Sequence, residues 1–252
     1  MLKTRLIPAL LLKNGRCVKG KQFQNFRDTG NPLTAARVYD AQGADELLFL
    51  DITASTENRG ILFELIEKTA SNCFMPLTVG GGIRTIEDIR KCLQAGADKT
   101  AINTGAVEHP EFITEGAKIF GNQCMVISID VRKNDKKYEV YTHAGTEATG
   151  LNPVDWAKKA EQLDAGEILI TSINQEGTMQ GYDVELVRSV VDAVKIPVIA
   201  NGGVGTLQHL VEGINIGHAS AVCASSIFHF TDQSVIKARA YMKGAGLNMR
   251  ME

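Results

Sequence analysis

No stretch of this 252-residue chain is apolar for long enough to cross a bilayer. The earliest apolar run, Leu6 to Leu12 in "MLKTRLIPALLLKNGR", is short and has no small-residue cleavage site after it, so it reads as a buried strand rather than a targeting segment. Charge of one sign is equally scarce. Lys and Arg number 27 against 29 Asp and Glu, a net charge of −2, and the basic residues are scattered. That balance excludes a broad footprint for nucleic acid or an anionic membrane, and any anion must be held locally. Five cysteines (Cys17, Cys73, Cys92, Cys124, Cys223) never stand in C-x-x-C spacing, which argues against a disulfide or zinc framework and for reduced thiols in a cytoplasmic protein. Five histidines (His109, His143, His209, His218, His229) lack ligand spacing such as H-E-x-x-H, so neither a metal nor a cofactor is expected. The single tryptophan, Trp156 in "DWAKKAEQL", reads as part of an outer helix and receives no role.

What is present is an ordinary enzyme composition, 44% hydrophobic and 22% charged with 24 glycines, enough for a large core. Apolar runs of strand length recur between helical segments: "LIPALLL", "ELLFLDI", "PLTVGGG", "KTAINTG", "MVISIDV", "EILITSI", "PVIANGG" and "SAVCASS". Strict alternation with helices such as 85–95 and 183–194 implies a parallel sheet covered on both faces, and eight strands close a (β/α)₈ TIM barrel. The chain also repeats itself. "PLTVGGGIRTIEDIRKCLQAGADKTAINTGAV" aligns with "PVIANGGVGTLQHLVEGINIGHASAVCASSIF", which puts Pro76 on Pro197 and Gly82 on Gly203, 121 positions apart (197 − 76). One barrel domain over 1–252, made of two half-barrels closing on each other, accounts for this better than two separate domains.

Barrel function sits at the C-terminal strand ends. The rule selects Leu11, Asp51, Gly82, Asn103, Asp130, Thr171, Asn201, Gly203 and Ser225. "VGGGIR" and "NGGVG" place glycines where a strand meets a helix, and each is followed one βα unit later by a hydroxyl-bearing tip, "INTGA" and "ASSIF". Bare backbone N–H groups and a helix start attract anions, so each half reads as a phosphate cradle. Two cradles on opposite sides of one mouth suit a long substrate phosphorylated at both ends. The segment "GRCVKGKQFQNFRDTG" after the first strand reads as a long, polar, basic loop (Arg16, Lys19, Lys21, Arg27), a lid or substrate binder or else a solvated connection. Asp51 reads as a support for its neighbours rather than a reacting group.

"GRCVKG", "DELLFLDITAS", "VGGGIR", "INT", "SID", "GEILITSI", "GYD" and the terminal "HF" followed by Asn248, Arg250 and Glu252 resemble HisF, the cyclase family of imidazole glycerol phosphate synthase, over essentially the whole chain. The resemblance implies a lyase subunit of a glutamine amidotransferase complex in histidine biosynthesis. Such a barrel takes ammonia from a HisH-like glutaminase partner through its axis and reacts it with a bis-phosphorylated ribulosyl aminoimidazole carboxamide. Carried over residue by residue, it implies catalysis by Asp130 and substrate or phosphate binding by Lys19, Asp51, Gly82, Asn103, Thr104, Thr171, Gly177, Gly203, Ala224 and Ser225. It also implies an ammonia gate of Arg5, Glu46, Lys99 and Glu167, and a partner-facing Asp98. From physics alone those four gate residues could equally form a structural salt-bridge layer.

Departures from the family pattern gather at the chemical centre. Leu11 stands where the cyclases carry a second strand-end aspartate, "SINQEGT" (Asn174, Glu176) replaces "SIDRDGT", and Ala144 and Asn201 replace hydroxyl residues. "IPALLLKNG" and "NCFMPL" further resemble a HisF-like branch associated with acetamidino-sugar formation for surface glycans. Three activities follow as expectations: the cyclase, an ammonia-delivering subunit for acetamidino-sugars, and a non-catalytic ammonia conduit.

Overall fold

The structure, a computed structural model, describes residues 3–54, 57, 62–135 and 137–250. Ser55 and Glu252, quoted in the motifs above, lie outside the described residues. Eight parallel strands form the barrel: Arg5–Lys13, Leu47–Asp51, Leu77–Gly80, Lys99–Ile102, Met125–Asn134, Glu167–Ser172, Val198–Asn201 and Ala221–Ala224. Each pairs with the next, and the eighth returns to the first in the register Arg5↔Ala221 to Pro8↔Ala224, which closes the sheet. The expected (β/α)₈ barrel is therefore the observed fold. Among the described residues no helix is long and apolar enough to cross a membrane.

The two-residue period of a strand sorts the core into two layers. On the first strand Leu6, Leu10 and Leu12 join the large cluster under the helices, whereas Ile7 and Ala9 face the barrel axis with Leu48, Ala101, Val126, Leu169, Ile199, Ala221 and Cys223. Residues two further along each strand reach the mouth. This parity is why Leu11, Asn103, Asp130, Thr171 and Asn201 converge there, and why Arg5, Glu46, Lys99 and Glu167 meet at the other end.

The internal repeat is a structural repeat. The third helix, Ile86–Gln94, and its mate Leu207–Asn215 have nine residues each, and Thr85 and Thr206 are their respective N-caps. Asp88 accepts from the N–H groups of Arg84 and Thr85. His209 Nδ1 accepts from Gly205 and Thr206 in the same way. A five-residue helix opens after the fourth strand (Thr104–Glu108) and another after the eighth (Ser226–Phe230).

The segment after the first strand differs from the expected loop. It is a β-hairpin, Arg16–Lys21 with Gln24–Gly30, continuing the first strand antiparallel through Lys13↔Arg16. Asn14 and Gly15 both have positive φ (52° and 73°), the tight turn that an Asn-Gly pair favours between strands. That signal was in the sequence, masked by the segment's polarity. Trp156 lies on the helix Pro153–Gln162 with its ring buried against the barrel.

Candidate active site at the barrel mouth

A cavity of about 280 Å³ opens at the C-terminal strand ends. Asp130 stands in its wall. Asn103 Nδ2 donates to Asp130 Oδ2 at 2.9 Å, and the Thr171 hydroxyl donates to the same carboxylate. Asn103 also donates to the Tyr141 carbonyl at 3.0 Å, and Asn201 Nδ2 donates to Thr171 Oγ1 at 3.1 Å. The chain Asn201, Thr171, Asp130, Asn103 thus fixes the carboxylate from both sides. Burial pushes the Asp130 carboxyl up to about 6, against the opposing pull of the Asn103 and Thr171 hydrogen bonds. A carboxylate poised near neutrality is suited to moving a proton in either direction.

Leu11, 8% exposed, lines the same cavity and offers neither donor nor acceptor. Asp51, 4% exposed, also lines it, but Oδ1 accepts from the N–H groups of Thr53 and Ala54, each at 3.2 Å. These two bonds tie it to the loop after the second strand. Ala144 borders the cavity with φ of 54°. Asn174 is turned away from it, exchanging hydrogen bonds with the Lys133 backbone and so tying the loop after the sixth strand to the fifth.

The two glycine turns are not equally open. Gly81 and Gly82 (φ 100° and 73°) are half-buried and line the cavity together with Asn103 and Thr104. A Cβ on Gly81 would stand 2.1 Å from the Asp51 carbonyl oxygen, so only glycine lets these strand ends approach. Thr104 Oγ1 accepts from the His143 N–H at 3.1 Å. Their repeat mates Gly202, Gly203, Ala224 and Ser225 are all buried and do not line the cavity. Ser225 Oγ has no hydrogen-bond partner.

Backbone covers the second turn: a Cβ on Gly203 would stand 2.1 Å from the Gly181 carbonyl oxygen, and one on Gly202 3.1 Å from that of Ser172. Lys19, in the segment read as a lid or substrate binder or else a solvated connection, is 2% exposed. The hairpin folds over the mouth: Gln22 N–H donates to the Glu176 carbonyl at 2.7 Å, and Gln22 Nε2 to the Asn174 carbonyl at 2.8 Å. Gly177 lies beneath Gly20, where a Cβ would meet the Gly20 carbonyl oxygen at 2.1 Å. Held so, Lys19 Nζ forms an ion pair with the Glu176 carboxylate beside Cys223 and His229. Burial lowers the Lys19 pKa, and the Glu176 carboxylate in contact with the ammonium opposes that shift. Phe23 and Phe26 of the hairpin roof the cavity, Phe23 at a positive φ of 63°. Neither aromatic was singled out from sequence, because nothing local distinguishes a roofing Phe from a core one.

At the opposite end, Arg5 Nη1 meets Glu46 at 2.8 Å and Nη2 meets Glu167 at 2.6 Å. Lys99 Nζ bridges the same two carboxylates at 3.0 and 2.9 Å. The four form a closed ring of alternating charge across the barrel floor. Thr78 Oγ1 adds a donor to Glu46 at 2.6 Å. Asp98 is exposed beside this ring, and its Oδ2 accepts from the Leu77 N–H at 2.8 Å. Among the described residues no group of three or more His, Cys, Asp or Glu is arranged to hold a metal ion.

A polar ring at one end, an apolar bore and a mouth built around one elevated carboxylate belong to a barrel whose sequence is also matched as a whole. The family model described as histidine biosynthesis protein matches residues 5–234, from the first barrel strand to the N-cap of the last helix, and the chain belongs to that family.

Proposed function

We propose that this chain is the ammonia-accepting synthase subunit of a glutamine amidotransferase, of the HisF type. In this reading a HisH-like glutaminase docks on the floor beside Asp98, and ammonia enters through the Arg5, Glu46, Lys99, Glu167 ring. The bore beyond is lined by Ile7, Ala9, Leu48, Val126 and Leu169. A neutral ammonia molecule crosses such a layer at far lower cost than an ammonium ion, because burying an unpaired charge is expensive. The acceptor lies in the mouth with a phosphate against Gly82 and Thr104, and Asp130 moves the proton. The observation that carries the reading is the alignment on one axis of the charged floor and the hydrogen-bonded Asp130.

Leu11 favours an acceptor other than the ribulosyl aminoimidazole carboxamide. Ring closure by the cyclases uses two strand-end carboxylates, and at the position of one of them Leu11 lines the mouth here. This observation supports the acetamidino-sugar branch over the cyclase, and it leaves Asp130 without a carboxylate at the Leu11 position to share the proton transfer. The test is turnover of the bis-phosphorylated carboxamide with ammonium salt as nitrogen source. Wild type is expected to be slow and Leu11→Asp to gain at least about tenfold in kcat, within the range acid–base groups contribute. Wild-type turnover as fast as a cyclase with both carboxylates would refute the assignment to a different acceptor.

A further inference from the structure

The internal repeat sets the first barrel strand against the fifth. Ile7, Ala9 and Leu11 fall on Val126, Ser128 and Asp130, 119 positions on (130 − 11). Each trio occupies alternate positions of one strand and therefore points one way, toward the barrel axis. In the first half all three side chains are apolar. In the second a hydroxyl follows the valine and a carboxylate follows the hydroxyl, so polar steps lead up the fifth strand and not up its mate.

Ser128 stands at a boundary. Below it lies the apolar layer that includes Ile7, Ala9, Leu48, Val126 and Leu169, and above it opens the mouth, whose wall it joins with Asn103 and Asp130. Its ladder partner on the sixth strand is Leu169, which has nothing to bond with. The residue is only 6% exposed, yet its hydroxyl has no hydrogen-bond partner among the described residues, whereas the buried hydroxyls of Thr78 and Thr171 are both bonded. A hydroxyl in so dry a place is costly to leave unbonded, and the cavity is the side from which a partner can come.

The space between Ser128 and Asp130 is that of one small hydride. Two residues of strand rise about 6.6 Å, close to two hydrogen bonds of about 3 Å each. Ammonia offers three N–H donors, one for the Ser128 oxygen and one for the Asp130 carboxylate, and its lone pair then remains for the mouth. Asn103 and Thr171 hold that carboxylate from its flanks.

We propose that Ser128 and Asp130 form an ammonia-binding site at the top of the bore, where the Ser128 hydroxyl accepts an N–H from the molecule as it leaves the apolar layer. The inference deepens the functional reading above and rests on it for the arrival of ammonia from the floor. Ser128 binds the ammonia and Asp130 takes its proton, so the two side chains have separable effects.

Titration of the full-length protein with ammonium chloride at constant ionic strength tests it, read from the backbone amide signals of Ser128 and Asp130 and the side-chain amide of Asn103. Two pH values above the titration range of Asp130 are used. In wild type these signals are expected to shift saturably, with a midpoint that follows the concentration of free ammonia rather than of ammonium ion, and potassium chloride should move none of them. Ser128→Ala should weaken binding at least about threefold, within what the loss of one hydrogen bond costs. Alanine suits the layer, since Ala9 stands at the matching position of the first half. Equal affinity in wild type and Ser128→Ala, with Asn103 and Asp130 still responding, would overturn the site and leave the functional reading standing. A response that follows ammonium ion, or that potassium chloride reproduces, would overturn it too, as a cation attracted to the carboxylate. Silence of all three signals in wild type would remove the ammonia reading and the site with it.

Discussion

Asp130→Asn is expected to lower ammonia-dependent turnover by about 10²- to 10⁴-fold, the range over which a positioned acid–base group acts, while making the protein more stable at pH 8. The two effects have one cause. The substituted amide can keep the hydrogen bonds from Asn103 and Thr171 but can no longer move a proton. The ionised carboxylate is what the mouth disfavours: burial raises its folded value from 3.8 to about 6. Between those values the folded chain binds more proton at this residue than the unfolded chain does. The contribution of Asp130 to stability therefore falls as pH rises through about 4 to 6, and above that window the ionised group costs about 1–3 kcal/mol, the upper figure being the whole displacement. Chemical denaturation of wild type and Asp130→Asn should converge at pH 4 and separate at pH 8 with the variant more stable. The same substitution decides between catalyst and conduit. A non-catalytic barrel that only carries ammonia would keep the pathway's product formation unchanged in Asp130→Asn.

Glu46→Ala carries the second large effect, a loss of about 3–5 kcal/mol of folding stability, toward the lower end because its partners are partly solvated. The Glu46 side chain is 3% exposed and accepts from Arg5, Lys99 and Thr78. Its removal leaves two cations facing the single carboxylate of Glu167 and a buried threonine hydroxyl without its acceptor. Lys99 and Arg5 are 18% and 23% exposed, so water offsets part of the penalty. Urea unfolding at pH 7 should show a lower midpoint with an unchanged slope. If the ring also admits ammonia, glutamine-dependent turnover with the partner should fall further than ammonium-dependent turnover in this variant. A ring that serves stability alone would lower both equally.

Much of the architecture is readable in the sequence. The run "LIPALLL" became Arg5–Lys13, "PVIANGG" became Val198–Asn201, and the repeat of 121 positions reappeared in paired nine-residue helices with matching threonine caps. These features are legible because strand burial, helix capping and glycine turns are encoded within a few residues of one another. Arg5, Glu46, Lys99 and Glu167 were singled out through the family resemblance, and their meeting follows from their place at strand starts, since a closed parallel barrel brings every strand start to one face. The candidate site was legible in the same way for Asp130, Asn103, Thr104 and Gly82, whose positions depend only on strand parity.

Lys19, Gly203 and Ser225 were named from the pattern too, and Gly177 through the family resemblance, but their surroundings were not in the sequence. A lysine in "GRCVKGKQFQNF" fits a lid, a substrate binder or a solvated loop alike, and Glu176 showed only as a departure in "SINQEGT".

The sequence by itself determined the barrel, its doubling, and which side chains reach the floor and the rim, because a strand's period and a turn's glycine are local properties of the chain. Tertiary structure alone decided that the hairpin closes over the sixth-strand loop, that Lys19 loses its water and pairs with Glu176, and that one glycine turn is covered while its twin lines the cavity. The physical reason is that desolvation and ion pairing depend on which distant segments exclude water together, and closure of the whole sheet sets that.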